Sequence, residues 1–249
     1  MKKSFSVLIL LAVCSFSAFA QFDLQARWSF TKGYQHPTIQ MDFNNEDNLG
    51  ETYIRSVFDL NYRDDIHIIE APSVAYLNFE RELLFWKRAK GWNKLSLHLA
   101  YQGGLVRDGN IKNAFSAGLS YKIIDTEKSY LALRVMYRYA INTVQLVPMQ
   151  VSARFYFNDA FTVEGLRFEG YADCLWEDHV VDYNAKMEKM TYPRNSHFWF
   201  NFAPQVWYNV GQFFGTDQLN VGGEVRLSLD YGNVHGFYCL PSVGIKWVF

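Results

Sequence analysis

Apolar and polar residues alternate with period two from one end of the chain to the other, the mark of strands that bury one face and wet the other. In the first such segment Phe22, Leu24, Ala26, Trp28 and Phe30 point one way, and Asp23, Gln25, Arg27, Ser29 and Thr31 point the other. The split returns with Leu95, Leu97, Leu99 and Tyr101 against Ser96, His98 and Gln102, and with Leu131, Leu133, Val135, Tyr137 and Tyr139 against Arg134 and Arg138. Twelve segments alternate: 22–31, 37–43, 52–62, 72–82, 94–103, 113–122, 129–140, 144–157, 161–174, 196–209, 219–231 and 237–249. Most reach the roughly nine to eleven residues a tilted strand needs to cross the hydrocarbon of a bilayer. The second is the weakest. A soluble sandwich alternates too, but with shorter strands whose polar face is the exterior.

The pattern predicts an all-β fold, a twelve-stranded antiparallel transmembrane β-barrel of outer-membrane type. An even strand number puts both termini on the periplasmic side, so the long 175–195 connection falls outside and the short Asn158-Asp159-Ala160 turn inside, the usual asymmetry. The connection at 83–93 is long for a periplasmic turn. Its Leu84-Phe85-Trp86 run suits an interfacial segment, with Lys87, Arg88 and Lys90 towards head groups. The final eight residues, Ser242 to Phe249, alternate and stop on an aromatic, as a closing strand would.

Lys2 and Lys3 precede an apolar stretch from Phe5 to Val13, and Ala18-Phe19-Ala20 supplies the small residues of a cleavage site. The expected division is therefore a signal peptide at 1–20, cut between Ala20 and Gln21, and one barrel domain at 21–249. A lipobox at Leu11-Ala12-Val13-Cys14 is the competing reading, disfavoured because Val13 is bulky where a small residue belongs. Cys174 and Cys239 are then too few for a disulfide framework and read as ordinary barrel residues.

Without Lys2 and Lys3 the chain carries 22 basic and 25 acidic residues, which argues against a nucleic-acid binder. Aromatics make up 18% of the chain, enough to furnish two membrane interfaces. The stretch 195–216 lacks any charged residue, yet its apolar residues alternate around Asn201, Pro204, Gln205 and Asn209, so it reads as a strand and a turn.

If the apolar sets face lipid, parity turns Arg27, Arg55, Asp59, Glu80, His98, Arg134, Arg138, Arg154, Arg167, Glu169, Asp173, Glu224, Arg226 and Lys246 inward, a lumen of mixed sign and slightly basic. Tyr171, Trp199, Gln205 and Trp207 share that space. Two readings stand side by side. Either the charges pair and plug the barrel, or some line a passage in which Tyr171, Trp199 and Trp207 stack on a flat solute. Arg167 with Glu169, and Arg226 with Glu224, are same-face neighbours and read as structural ion pairs.

No enzyme, cofactor or metal is expected. Asn195-Ser196-His197 are adjacent and point in alternating directions, which makes no relay. Asp64, Asp65, His67 and Glu70, and likewise Glu177, Asp178, His179 and Asp182, read as solvated loop charge and show no ligand spacing.

Several runs carry a family resemblance: Ala75 to Trp86, Tyr101-Gln102-Gly103-Gly104-Leu105, Gly170-Tyr171-Ala172-Asp173, Pro204 to Asn209, Val221-Gly222-Gly223-Glu224-Val225 and Gly244 to Phe249. In this order they resemble a family of outer-membrane proteins of unassigned function that is similar to the nucleoside-specific channel-forming (Tsx-like) porins. The resemblance implies a monomeric twelve-stranded barrel with a narrow lumen that passes nucleosides. It also implies that Phe249 resembles the signal read by the barrel assembly machinery, and it draws interest to Glu80, Asp173, Gln205, Trp207 and Glu224. The expectation is a channel in the bacterial outer membrane, among its lipids, for passive diffusion of small polar solutes, with nucleosides the leading candidate. The alternative is a closed barrel with a structural or surface-interaction role carried by its outer loops.

Overall fold

Alternation along the chain becomes inside and outside in the computed structural model, which describes residues 20–249 apart from 32–33, 64–67, 88, 90, 107–108, 142–146, 185, 187–188 and 233. The segment before Ala20 with Cys14, the loop residues Asp64, Asp65 and His67, the side chain of Glu70, and Arg88 and Lys90 lie outside the described residues. Fourteen strands form among the described residues: β1 (Ala20–Thr31), β2 (Tyr34–Asp47), β3 (Gly50–Arg63), β4 (Ile68–Leu83), β5 (Leu95–Val106), β6 (Gly109–Asp125), β7 (Ser129–Ala140), β8 (Met149–Asn158), β9 (Leu166–Leu175), β10 (His179–Tyr183), β11 (Lys189–Ser196), β12 (Trp199–Asn209), β13 (Leu219–Leu229) and β14 (Phe237–Val248). Twelve make one closed antiparallel wall in the order β1-β14-β13-β12-β9-β8-β7-β6-β5-β4-β3-β2, with β2 back on β1. Each of the twelve expected segments holds one wall strand.

Three differences from the expected boundaries have local causes. The weak second segment extends to Asp47, because its polar Asn44, Asn45 and Glu46 find ladder partners in Tyr53, Thr52 and Glu51. The segment expected at 161–174 starts as a strand only at Leu166, since Asp159, Phe161 and Thr162 take left-handed φ of 51°, 54° and 65° in a short 3₁₀ turn. Asp159 ties that turn, accepting from the Gly165 amide at 3.0 Å and the Lys128 ammonium at 2.7 Å. The third is an addition: β10 and β11 form an antiparallel hairpin inside the 176–198 connection, where the sequence reads only as a long loop.

The barrel closes where β14 meets β1, with Leu24 opposite Trp247, Ala26 opposite Ile245 and Arg27 opposite Gly244. Phe249 finishes the seam, its amide donating to the Phe22 carbonyl at 2.9 Å and its ring 5.4 Å from that of Phe22. On the neighbouring pair Gly244 faces Gly222. A Cβ on Gly222 would lie 1.9 Å from the Val206 carbonyl and 2.9 Å from the Trp207 ring, and one on Gly244 would lie 2.7 Å from the Arg27 stem. These two glycines make room for Trp207 and Arg27 to lie flat against the inner wall.

Large apolar residues cover the outside, among them Leu133, Val135, Tyr137, Tyr139, Val206, Val225, Val243 and Ile245. Between them along the strands, Arg134, Arg138, Gln205, Glu224, Ser242 and Lys246 are buried inside. This inverts the plan of a water-soluble globule, in which charge is on the surface. No described helix is long and apolar enough to cross a membrane.

Candidate functional site

Side chains from nearly every strand meet in the lumen as one polar network. The Trp207 indole donates to Gln205 Oε1 at 2.9 Å, and Gln205 Nε2 donates to Glu224 Oε2 at 2.8 Å. Glu224 pairs with Arg27 on β1 and, at 3.0 Å, with Arg226. Arg27 continues to Gln40 Oε1 at 2.8 Å, Gln40 to Asp42 at 2.6 Å, and Asp42 accepts from Arg55 Nε at 2.8 Å. On the opposite wall Arg134 bridges Glu80 and Glu82, and Glu82 also accepts from the Ser96 and Ser120 hydroxyls. Arg154 joins Glu80 at 3.3 Å to Asp173 at 3.0 Å. Tyr171 connects the two halves: the Arg55 and Arg154 guanidiniums lie 5.1 and 4.9 Å from the centre of its ring. Burial of this many ions persists only because each carries a partner.

At the end of the barrel that holds Gln21 and Phe249, the lumen widens into a vestibule of about 710 Å³. Arg55, Arg134, Arg154, Arg167 and Lys246 line it on the basic side, and Asp23, Asp42, Glu46, Glu51, Glu80, Asp125, Glu127 and Glu169 on the acidic side. The expected slight basic excess is thereby corrected for this part of the lumen. Parity also turns Asp23 and Asp42 inward, between Phe22 and Leu24 and between Met41 and Phe43, although neither is among the expected lining charges; Glu46 and Glu51 lie at strand ends among other polar residues, where alternation gives no signal. Tyr53, Tyr130 and Tyr156 also face the vestibule, and the last two are stacked with centroids 5.5 Å apart.

The other end is closed differently. Met136, Ala140, Leu175, Tyr238 and Leu240 are buried on inward positions there, so the lumen is apolar where the rule of charge inside and oil outside expects ions. Hairpin β10–β11 lies over this end, and its own Val181 is wholly buried. Asp230 fastens the hairpin: its carboxylate accepts from Ser196 Oγ at 2.7 Å, from the Gly236 amide and from His235, while His179 Nε2 donates to its carbonyl at 2.6 Å. Burial raises the Asp230 carboxyl pKa, but the Gly236 amide, Ser196 and His235 outweigh it and hold the group below its ordinary range.

Of the candidate residues, Arg55, Glu80, Arg134, Arg154, Arg167, Glu169, Gln205 and Lys246 line the vestibule. Asp59, Glu224 and Arg226 surround a water-sized gap further along. His98, which lies 3.6 Å from Glu82, belongs with Asp173 and Tyr171 to the polar network, and Arg138 lies at the hairpin end beside Glu177. The same-face pairs Arg167–Glu169 and Arg226–Glu224 form as expected. One stacking role fails: Trp207 is 0% exposed, held between Gly222 and the Lys246 ammonium, so its ring has no face free for a solute. Trp199 is half-buried and packs edge-on to Tyr231 at 5.0 Å near the hairpin. Glu177 also departs from expectation: it is buried and pairs with Arg138, so it is not solvated loop charge. Ser196 and His197 turn to different partners, Asp230 and Asp178. Gln21 bonds Asp23 at the vestibule rim, and Cys174 and Cys239 are both free thiols.

A sealed cylinder, apolar outside and ionic inside, defines an outer-membrane-type β-barrel. The chain belongs to the family described as a domain of unknown function, DUF5020, whose profile matches residues 21–249. Its fold is similar to that of the NanC porin, with 10% identity over 91% of this chain and 98% of that one and a TM-score of 0.52. The KdgM porin follows at 7% identity, 92% and 99% coverage and a TM-score of 0.48. The COG4313 outer-membrane channel from Pseudomonas putida F1 has 8% identity, 94% and 97% coverage and a TM-score of 0.48. At such identities the likeness is one of fold. No curated protein matches the chain.

Proposed function

We propose that the protein sits in the bacterial outer membrane as a monomeric barrel and passes small polar solutes by passive diffusion, without chemistry or cofactor. The observation that carries this reading is the ion-lined vestibule and the polar network behind it, enclosed in an apolar cylinder. An ion-lined interior is costly to fold and gives a membrane protein little beyond a path for water-loving molecules. Two amide oxygens in the network, Gln25 Oε1 and Asn78 Oδ1, are buried without a protein hydrogen bond, which favours a water-bearing lumen. On this reading the end with Gln21 and Phe249 faces the periplasm, the hairpin faces outside, and Phe249 acts as the terminal signal for the assembly machinery. A nucleoside, as the Tsx-like resemblance implies, would stack in the vestibule on Tyr53, Tyr130 or Tyr156.

Purified protein in planar bilayers tests this. Single-channel current that nucleosides or other small polar solutes block is the expected result. Persistent silence overturns the channel and leaves the second reading, a closed structural barrel, which the near-complete burial of Trp207 and His98 favours.

A further inference from the structure

Among the described residues, the inward arginines Arg27, Arg55, Arg134, Arg154, Arg167 and Arg226 take their carboxylates from the barrel wall. Arg138 on β7 does not. Its carboxylate is Glu177, with Oε2 at 3.4 Å, supplied by the segment that leads into the hairpin. The guanidinium is also aimed by Gln102 on β5, whose Oε1 accepts from Nη1 at 2.6 Å. Both Arg138 and Glu177 are buried, and the neighbouring inward positions on β7, Met136 and Ala140, are apolar.

The hairpin's other fastenings are to the 230–236 connection between β13 and β14, with β13 four strands round the wall from β7: Ser196 to Asp230, the Tyr183–Val234 bridge, and the His235 amide to the Tyr183 carbonyl at 2.7 Å. Raising the hairpin from β7 would strip Arg138 of its counter-ion in surroundings that solvate a cation poorly, so the hairpin stays down unless another anion takes Glu177's place. A guanidinium fork that already accommodates a carboxylate is matched to a carboxylate. Resting on the channel reading above, we propose that hairpin β10–β11 is a lid. Arg138 with Gln102 is the site for a carboxylate-bearing solute, which displaces Glu177 and lets the lid rise.

Thiol labelling reads the lid without requiring conduction. In a background of Cys174→Ser and Cys239→Ser, Val181→Cys places a buried thiol in the hairpin, and a membrane-impermeant maleimide reports its exposure in vesicles of the folded protein. Acetate is expected to speed labelling by about tenfold over its neutral isostere acetamide, a modest population shift. Adding Glu177→Gln is expected to give the fast rate without acetate. Equal rates in acetate and acetamide, with E177Q no faster than its parent, overturn the lid. Faster labelling in a barrel that never conducts keeps the lid and sinks the channel; current with unchanged labelling keeps the channel and sinks the lid. A second variant, Tyr183→Cys with Val234→Cys, pins the hairpin by a disulfide between bridged residues. Current that stops on oxidation and returns on reduction supports the lid, and current through the oxidised barrel refutes it.

Discussion

Lys246 on β14 reaches Glu169 on β9 at 2.8 Å, three strands away around the wall, while the same ammonium holds Asp23 on the adjacent β1 at 2.8 Å. One side chain thus ties the closing seam to the far side of the vestibule. Removing one partner of a buried ion group leaves the others uncompensated, at about 3–5 kcal/mol. Lys246→Met is expected to lower stability by that order in denaturant unfolding from lipid vesicles, and adding Glu169→Gln to recover part of it. A loss under about 1 kcal/mol, the scale of an exposed pair, would show that the group contributes little.

Trp207 is a packing residue, not a stacking platform. Its truncation to alanine is expected to cost about 3–5 kcal/mol, as for other buried aromatics, and to enlarge single-channel current by opening the wall between vestibule and mid-lumen. Solute block unchanged in the more conductive variant would support this assignment; block abolished would restore the stacking role. Gly222→Ala pushes a methyl group into the Val206 carbonyl and the Trp207 ring. It is expected to prevent assembly, read as loss of the heat-modifiable folded band on a gel.

Val135 stands mid-strand on the outer face of β7, 54% exposed, beside the inward Arg134. If lipid covers that face, Val135→Arg places a charge in hydrocarbon and is expected to cost about 2–4 kcal/mol in vesicle folding, while Val135→Leu is silent. An arginine tolerated without loss would mean that water, or another protein surface, covers the belt.

Acid is expected to loosen the hairpin through Asp230. Its folded pKa lies below the ordinary aspartate value of 3.8, so its stabilising contribution is present above 3.8 and is lost as pH falls through the lower folded value. Opening of the β10–β11 hairpin, read by hydrogen exchange of its amides, should therefore increase as pH falls below 3.8. Asp230→Asn should remove this acid step, and an unchanged step in the variant would assign it to another group.

Period-two patterning was enough to read the number of wall strands, the parity of most wall residues and the pairs Arg167–Glu169 and Arg226–Glu224. Those features depend on neighbours one or two residues apart. Legibility faded where the partner is remote. Nothing near Trp207 in the chain says that Gly222 leaves space for its ring, and nothing near Glu177 says that Arg138 awaits it. A sharper reading of the 176–198 connection was available, since His179-Val180-Val181-Asp182-Tyr183 has the β-branched content of a strand.

By itself the sequence determined a cylinder, because side chains that alternate must choose between two solvents and the choice repeats every second residue. Only tertiary structure decided what fills the cylinder. Closure brings β14 to β1, and the order of the wall puts Lys246 of β14 within reach of both Asp23 on β1 and Glu169 on β9, which turns isolated inward charges into one network with an acidic vestibule. It also gathers Met136, Leu175 and Leu240 from distant strands into an apolar end that the hairpin can cover. Ion pairing and burial depend on distances across the lumen, and those distances exist only once the wall has closed.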